Sequence, residues 1–171
     1  MGKKDSIAAE IPKLRRYARA LVGNETEADD LVQDTLERAL TRLHLWQRSD
    51  NPRRWLFTIL HNLHIDHARG QARRPAASEL DETVADPLAR PEDGVTTCEV
   101  TAALARLPLE QRQVVLLVGM EGLSYAETAE VLAIPIGTVM SRLSRGRDKL
   151  RQLLDHPTVP VAPSATLRRV K

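Results

Sequence analysis

The chain has 171 residues, of which 42% are hydrophobic and 3% aromatic, and its formal net charge is +2. That length has room for one ordinary domain or two small ones, and the hydrophobic content is enough for packed cores. The single cysteine, Cys98, excludes an internal disulfide framework and a Cys-rich zinc site. No apolar run approaches the roughly 20 residues of a membrane span. We therefore expect a globular protein of the reducing cytoplasm.

Apolar residues recur at helical spacing through most of the sequence, so the expected fold class is all-α. The first apolar stripe runs from Ile7 to Leu21 and predicts one helix that ends near Gly23. Thr26 followed by Asp29 resembles a capping box. It predicts a second helix that reaches about Leu43 and presents an acidic outer face.

A third helix is predicted from Arg53 or Arg54 to about Arg69, after a loop of sequence HLWQRSDNP. This region is basic, because residues 53–74 hold five arginines and one aspartate, a net charge of +4. Residues 136–151 are equally basic, with five positive side chains and one negative side chain. Two basic helical blocks therefore stand at separate places in the chain.

The stretch between these blocks, residues 75–97, carries six acidic side chains and one basic side chain, a net charge of −5. Its three prolines break helical periodicity, and it has little apolar surface to bury. We expect two small helical domains, residues 7–74 and 98–155, joined by an acidic flexible linker. The tail from residue 156 to 171 has no periodicity and is expected to be disordered.

Three histidines of the third helix, His61, His64 and His67, follow each other at intervals that suggest a metal site. Each interval of three residues turns the side chain by about −60°, so the outer two imidazoles point about 120° apart. Asp66 is the only carboxylate nearby. We therefore expect no metal ion, and we place the imidazoles on a polar surface that faces nucleic acid or solvent.

The second domain contains the pattern of a helix-turn-helix motif. A strongly apolar helix of sequence LEQRQVVLLVGMEGL ends near Gly122, and Ser124 with Glu127 then forms a capping box. The box predicts a short helix over residues 125–132, a break at residues 133–135 and a longer last helix. This order of short helix, tight turn and longer helix is typical of motifs that place their second helix in the major groove of DNA.

The last helix has two contrasting faces. Val139, Leu143 and Gly146 share its buried stripe, where the glycine allows a neighbouring helix to approach closely. The opposite face and its flanks carry hydroxyl groups, an arginine and a methionine, namely Thr138, Met140, Ser141, Ser144 and Arg145. Arginine bonds guanine edges and short hydroxyl side chains bond phosphates, so this face suits a DNA groove.

Taken in order, the segments EADDLVQDTLERAL and RRWLFTILHNLHIDHARGQARR, an acidic linker and the helix-turn-helix segment resemble an extracytoplasmic-function (ECF) sigma factor of bacterial RNA polymerase. The resemblance covers about residues 7 to 155. The two-domain layout is that of the minimal subgroup of the sigma family. The implied function is to direct core polymerase to promoters and to assist strand opening, in a stress or envelope response.

The resemblance also implies partners. Four residues of the second helix would dock on the clamp helices of the largest polymerase subunit: Asp30, Gln33, Asp34 and Glu37. Core RNA polymerase, including its flap, promoter DNA and an anti-sigma factor are the implied partners. No catalytic residue, cofactor, metal or membrane span is implied.

Two sets of DNA-binding residues follow from the same resemblance. The loop before the third helix and that helix would hold the non-template strand of the minus-ten element, through Trp46, Arg54, Asn62, Asp66, Arg69 and Arg73. Trp55 lies with the apolar stripe and is expected to be mainly structural. The last helix would read the minus-thirty-five element, through Thr138, Met140, Ser141, Arg142, Ser144 and Arg145. Met140 and Ser144 stand where many relatives have a basic or larger residue.

Two other functions are compatible with parts of the pattern. A conventional helix-turn-helix regulator would use the first domain as a helical sensor and would bind DNA as a dimer. A small metal-dependent hydrolase would use His61, His64 and Asp66 as ligands. Binding to core polymerase separates the sigma factor from the conventional regulator, and stoichiometric metal would be required for the hydrolase.

Overall fold

The computed structural model describes residues 2–46, 51–72 and 97–155. All regular secondary structure in these ranges is helical, which confirms the all-α fold class. The helices are α1 (Lys3–Ala8), α2 (Ile11–Val22), α3 (Glu25–Thr41), α4 (Pro52–Ala72), α5 (Thr97–Ala105), α6 (Leu109–Val115), a π-helical segment (Leu116–Met120), α7 (Tyr125–Leu132) and α8 (Ile136–Asp155). The expected tail and the expected linker, apart from Thr97, lie outside the described residues.

The amino-terminal region forms two helices, so the prediction of one continuous helix was wrong. α1 ends at Ala8, and α2 begins at Ile11 with Glu10 as its N-cap residue. Pro12 explains the break, because proline has no N–H to donate and its ring would clash with the carbonyl of Ala8 in a continuous helix. The expected end at Gly23 is confirmed, since Gly23 adopts a left-handed conformation with φ of 79°.

The start of α3 also differs from the prediction. Asn24, and not Thr26, is the N-cap residue, and its Oδ1 accepts a hydrogen bond from the Glu27 N–H at 3.0 Å. Asn24 has the extended backbone that a capping residue needs, with φ of −118°. The predicted box of Thr26 and Asp29 therefore lies inside the first turns of the helix.

The helix-turn-helix motif is confirmed in its predicted place. The Glu127 N–H donates to Ser124 Oγ at 3.1 Å, and the Ser124 N–H donates to Glu127 Oε2 at 2.9 Å, so the capping box is complete. Ala133 ends α7 in a left-handed conformation with φ of 52°, and α8 restarts at Ile136. These two local signals set the angle at which α8 leaves the motif.

The helices on the two sides of the linker pack against each other. α4 contacts α7, and α2 contacts α5, α6 and the π-helical segment. Buried apolar residues from both sides form one continuous hydrophobic cluster. The amino-terminal helices α1–α4, here called the first helical group, and the helices α5–α8, the second helical group, therefore form one packed body in this structure.

α8 is held in the second helical group by a close contact at Gly146. Val139 and Leu143 are buried, and a Cβ added to Gly146 would lie 2.7 Å from Val115 Cγ2 and 3.4 Å from Gln111 Cβ. Contacts as short as 2.7 Å are not tolerated in packed cores without movement of the neighbour. The expected role of Gly146 in close packing is thus confirmed.

Replacing Gly146 with alanine should destabilise the protein, although alanine is the better helix former. We expect the free energy of unfolding to fall by about 1–2 kcal/mol, since overpacking costs about 1–3 kcal/mol and helix propensity returns up to about 1 kcal/mol. Gly137→Ala is the matched control, because no atom outside its own helix backbone lies within 4 Å of the added Cβ. Equal changes in the two variants, measured by denaturant unfolding, would contradict the packing role.

Candidate polymerase and nucleic-acid interface

The acidic face of α3 is defined by which side of the helix packs inward. Ala28, Leu31 and Val32 are buried against the first helical group. Asp30, Gln33 and Glu37 are exposed, Asp34 is half-buried, and all four residues lie on the outer side of α3. Gln33 Nε2 donates to Glu37 Oε1 at 3.1 Å. The four predicted docking residues are thus brought together on one surface of the protein, here called the docking face.

A depression of about 390 Å³ lies beside the docking face, between α3 and α4. Its lining includes Asp30, Gln33 and Asp34 from α3, and His64 and His67 from α4. His67 Nε2 lies 3.3 Å from Asp34 Oδ2. Carboxylates along the rim of such a depression favour a partner with basic side chains.

The expected polar surface holds only part of the α4 histidines, since His61 is buried and His64 is half-buried, whereas His67 is exposed. His61 is 6% exposed, and burial, with a smaller effect of neighbouring His64, lowers its pKa to about 4. Burial also lowers the pKa of His64, with smaller effects of His67 and Arg112. Within residues 2–46, 51–72 and 97–155, no group of three or more His, Cys, Asp or Glu side chains is placed to hold a metal ion. The apolar contacts of α4 with its neighbours, which sequence spacing does not reveal, decided the burial of His61.

The burial of His61 makes stability depend on pH in a defined window. An unfolded histidine takes up its proton near pH 6.5, whereas His61 in the folded state does so at about 4, so the unfolded state binds more protons between these values. Stability therefore falls as pH drops through this window. From about pH 7 to about pH 5 we expect a loss on the order of 2 kcal/mol, measured by urea unfolding. His61→Gln should reduce this slope, and an unchanged slope would show that other groups cause it.

α4 presents a polar face to solvent. Asn62, Asp66 and Arg69 are all exposed, and their spacing of four and three residues places them on one side of the helix. Arg73, the remaining predicted residue of this region, lies outside the described residues. A row of amide, carboxylate and guanidinium groups can hydrogen-bond both bases and phosphates.

Trp46 lies inside the protein in this structure. It is 4% exposed and stacks on Trp55, with ring centroids 5.9 Å apart and planes inclined by 16°. Lys3 Nζ donates to the Trp46 carbonyl at 2.5 Å. These contacts agree with the structural role expected for Trp55, and they place the Trp46 ring away from solvent.

Arg54 and its neighbours connect α4 to the second helical group, a connection that the sequence did not indicate. Arg54 Nη1 lies 2.7 Å from Glu130 Oε2 of α7. Asn51 Nδ2 donates to Glu127 Oε1 at 2.9 Å, so the carboxylate that caps α7 also has a partner in the first helical group. Sequence reasoning identified Glu127 only as a cap, because its second partner is 76 positions away in the chain.

A buried carboxylate lies at the centre of the same contact between helical groups. The Glu121 side chain is 0% exposed, and Arg16 donates to both of its oxygens, from Nε and Nη2, at 3.0 Å each. Arg53 Nη1 donates to the Glu121 carbonyl at 3.2 Å. The sequence predicted none of these contacts, since no local pattern signals an ion pair between segments so far apart in the chain.

α8 presents the predicted DNA-reading residues on its first half. Met140, Ser144 and Arg145 are exposed, while Thr138, Ser141 and Arg142 are half-buried. Ser141 Oγ donates to the Thr138 carbonyl at 3.1 Å, and Arg142 Nη2 lies 3.1 Å from Glu110 Oε2. Arg145 makes no salt bridge within the described part of the chain, so its guanidinium is available to a ligand.

These features define a helical protein with a helix-turn-helix motif in α7 and α8 and an acidic exposed face on α3. Two family models match the chain. The model described as "Sigma2 domain of PhyR" matches residues 7–61, and the model described as "Sigma-70, region 4" matches residues 99–150. The ECF RNA polymerase sigma factor EcfG of Rhodopseudomonas palustris (strain TIE-1) is 41% identical over 155 residues, which cover 88% of this chain and 84% of that protein. The chain therefore belongs to the ECF RNA polymerase sigma factor family.

Further relatives agree with this assignment. The RNA polymerase sigma factor HrpL of Pseudomonas syringae pv. syringae is 33% identical over 162 residues, with coverage of 90% of this chain and 88% of that protein. The sigma factor RpoE, solved in complex with the anti-sigma factor NepR from Bartonella quintana, matches with a TM-score of 0.73 and 30% identity over 90% of this chain and 97% of that chain. CnrH in complex with the cytosolic domain of CnrY matches with a TM-score of 0.65 and 28% identity over 90% and 87%.

Membership in this family confirms the resemblance to ECF sigma factors that the sequence motifs indicated. The chain is an RNA polymerase sigma factor, which directs core polymerase to promoters, and this function is supported over the conventional regulator and the hydrolase. No helix in the described ranges combines the length and the apolar character needed to cross a membrane.

Proposed function

We propose that the docking face of α3 binds the clamp helices of the largest polymerase subunit. Its four residues, Asp30, Gln33, Asp34 and Glu37, are accessible to a partner at least in part, and their charge is complementary to a basic surface. The second helical group would contact the polymerase flap. The observation that carries the proposal is the concentration of this acidic, accessible surface on one side of one helix.

The amino-terminal region, residues 7–74, would also capture the melted minus-ten strand. Unstacking a base costs a few kcal/mol, which the protein must offset by holding flipped bases and neutralising phosphates. Asn62, Asp66 and Arg69 offer the groups for this along one face of α4, and Arg54 and Arg73 would add charge. Trp46 is also proposed for the minus-ten element, although its ring is buried in this structure.

The carboxy-terminal region, residues 98–155, would read the minus-thirty-five element with α8 in the major groove. Met140, Ser141, Ser144 and Arg145 would face base edges, while Thr138 and Arg142 would lie nearer phosphates. The linker, residues 75–97, would span the distance between the two promoter elements. Its 23 residues reach at most about 75 Å, against about 70 Å for two helical turns of DNA.

The protein would act without a catalytic site or cofactor of its own, in the cytoplasm where bacterial polymerase works. RpoE and CnrH were solved in complex with NepR and with the cytosolic domain of CnrY, respectively. By analogy, an anti-sigma factor would hold this chain inactive until an inducing stress releases it.

Reconstitution with core polymerase tests the proposed function directly. The purified chain should direct core enzyme to a specific set of promoters in transcription from fragments of its source genome, and the chain alone should bind promoter DNA weakly. Failure to redirect initiation to any promoter would overturn the proposal.

Arg145→Ala separates the two DNA-binding roles. We expect recognition of the upstream element to weaken by about 10- to 100-fold, because a bidentate arginine contact with guanine contributes about 1–3 kcal/mol. Open-complex formation on a pre-melted promoter should survive. Equal losses in the two assays would contradict the role assigned to α8.

A further inference from the structure

The DNA-facing surface of α8 carries an exposed apolar side chain among polar ones. Met140 is 53% exposed, next to the polar side chains of Ser141 and Ser144. At Gly137, one turn earlier, a Cβ would meet no atom within 4 Å apart from its chain neighbours and the backbone of its own helix. This face of α8 is therefore accessible at Met140 and one turn before it.

The chemistry of the major groove restricts what such a side chain can recognise. Methionine has no donor and only a weakly accepting sulfur, so it cannot replace arginine in bonding guanine. The apolar group that a base edge offers in the major groove is the 5-methyl group of thymine. The flexible, polarisable thioether adapts well to such a contact.

We propose that Met140 selects a thymine in the upstream promoter element through the 5-methyl group of that base. The proposal rests on the proposed function, since it requires α8 in the major groove. The basic character of this helix, with four arginines and one lysine against one aspartate within residues 136–151, favours DNA as the occupant of this face.

Deoxyuridine substitution tests the contact because it removes only the methyl group. A promoter is first selected by the wild-type holoenzyme from a pool with a randomised upstream element, and each thymine of either strand is then replaced by deoxyuridine. We expect wild-type binding to weaken by about threefold to tenfold at one position. In Met140→Ala this sensitivity should disappear, and in the matched control Ile136→Ala, whose side chain is 50% exposed, it should remain.

The outcomes separate this proposal from the proposed function. If the wild-type holoenzyme selects no upstream sequence, the proposed function fails. If it selects a sequence but no deoxyuridine weakens binding, or if Met140→Ala keeps the sensitivity, the role of Met140 is wrong. Loss of the sensitivity in Ile136→Ala would also overturn it.

A separate observation concerns the amino end of α4. Glu130 pairs with Arg54, and Glu127 accepts a hydrogen bond from Asn51. Both carboxylates belong to α7 of the second helical group, whereas Arg54 is a residue that the proposed function gives to the promoter strand. A guanidinium binds carboxylate and phosphate through the same donors, so the two ligands exclude each other at Arg54.

We infer that α7 competes internally with promoter DNA for the amino end of α4. The side chains of Glu130 and Arg54 are 58% and 34% exposed, so the pair is reached by solvent and weakened by salt. The contact is therefore reversible, and the chain releases Arg54 when the helical groups separate. This inference also rests on the proposed function.

Binding of the full chain to a single-stranded minus-ten oligonucleotide at low salt tests the competition. Glu130→Gln should bind about threefold to tenfold more tightly than wild type, because it removes the competing charge and keeps the shape. Glu25→Gln is the control, since Glu25 pairs with Arg19 inside the first helical group. Equal gains in the two variants, or no gain in Glu130→Gln, would overturn the inference.

A second substitution keeps the test specific to Arg54. In an Arg54→Ala background, Glu130→Gln should give no gain, because the guanidinium for which Glu130 and DNA compete has been removed. A gain that persists in this background would show that Glu130 acts by general repulsion of DNA, and the inference would be wrong. Transcription by the Glu130→Gln holoenzyme reports separately on the proposed function.

Discussion

Replacing Asp30 and Asp34 together with lysine should weaken binding to core polymerase by about 100-fold or more, because like charges placed against each other across an interface cost several kcal/mol. Both residues lie on the outer side of α3, and Asp30 makes no salt bridge within the described ranges. Asp34 pairs only with His67 there, at the exposed edge of the depression. The double variant should therefore fold normally and fail at docking.

The measurement is titration of labelled protein with core enzyme, alongside thermal unfolding of the free chain. Asp155→Lys is the control, since it makes one such Asp-to-Lys reversal at an exposed position at the end of α8. We expect the control to bind like wild type. Unchanged binding of the Asp30→Lys/Asp34→Lys protein, or an equal loss in the control, would remove the docking face from the proposed function.

Removing Arg16 should produce the largest loss of stability. Arg16 makes two hydrogen bonds to the Glu121 carboxylate, whose side chain is 0% exposed, and Arg16→Met would leave that charge buried without its partner. Breaking a buried pair in this way lowers the free energy of unfolding by about 3–5 kcal/mol. For Arg16→Met we expect a smaller decrease of about 2–3 kcal/mol, because Arg16 is itself half exposed. Denaturant unfolding of the full chain measures the change.

A double variant distinguishes an uncompensated charge from a loss of packing. Arg16→Met/Glu121→Leu should recover most of the lost stability, since it removes both charges and keeps apolar volume in the contact. Arg15→Met is the control, because Arg15 is an exposed neighbour on the same helix. A double variant as unstable as Arg16→Met would show that the charge left on Glu121 is not the cause.

Much of the local structure was readable from the sequence because its causes lie within four residues. The box of Ser124 and Glu127, the end of α2 at Gly23 and the buried stripe of α8 were all found where predicted. The two local errors have local causes. Pro12 interrupts an apolar stripe whose periodicity continues across the break, and Asn24 competes as a cap with the nearby Thr26.

In the candidate site, the exposed side chains were predicted correctly from the sequence, but the buried ones were not. Side chains that point to solvent, such as Asp30 on α3 or Arg145 on α8, follow directly from helical periodicity once the buried stripe is known. The surface position expected for His61 was wrong, and the burial of Trp46 was not predicted, because both depend on which parts of the chain pack around these side chains. Arg73 lies outside the described residues, so its role stays a prediction.

The sequence by itself determined the all-α class, the helix-turn-helix motif, the acidic surface of α3 and, through its motifs, the sigma factor family. The tertiary structure alone decided that Arg16 meets Glu121 and that Arg54 meets Glu130, across separations of 105 and 76 residues. Helical periodicity carries information over one or two turns, whereas pairing between helices depends on how whole apolar faces dock. For that reason the contact between the two helical groups, which covers a predicted DNA-binding arginine, has no signature in the sequence.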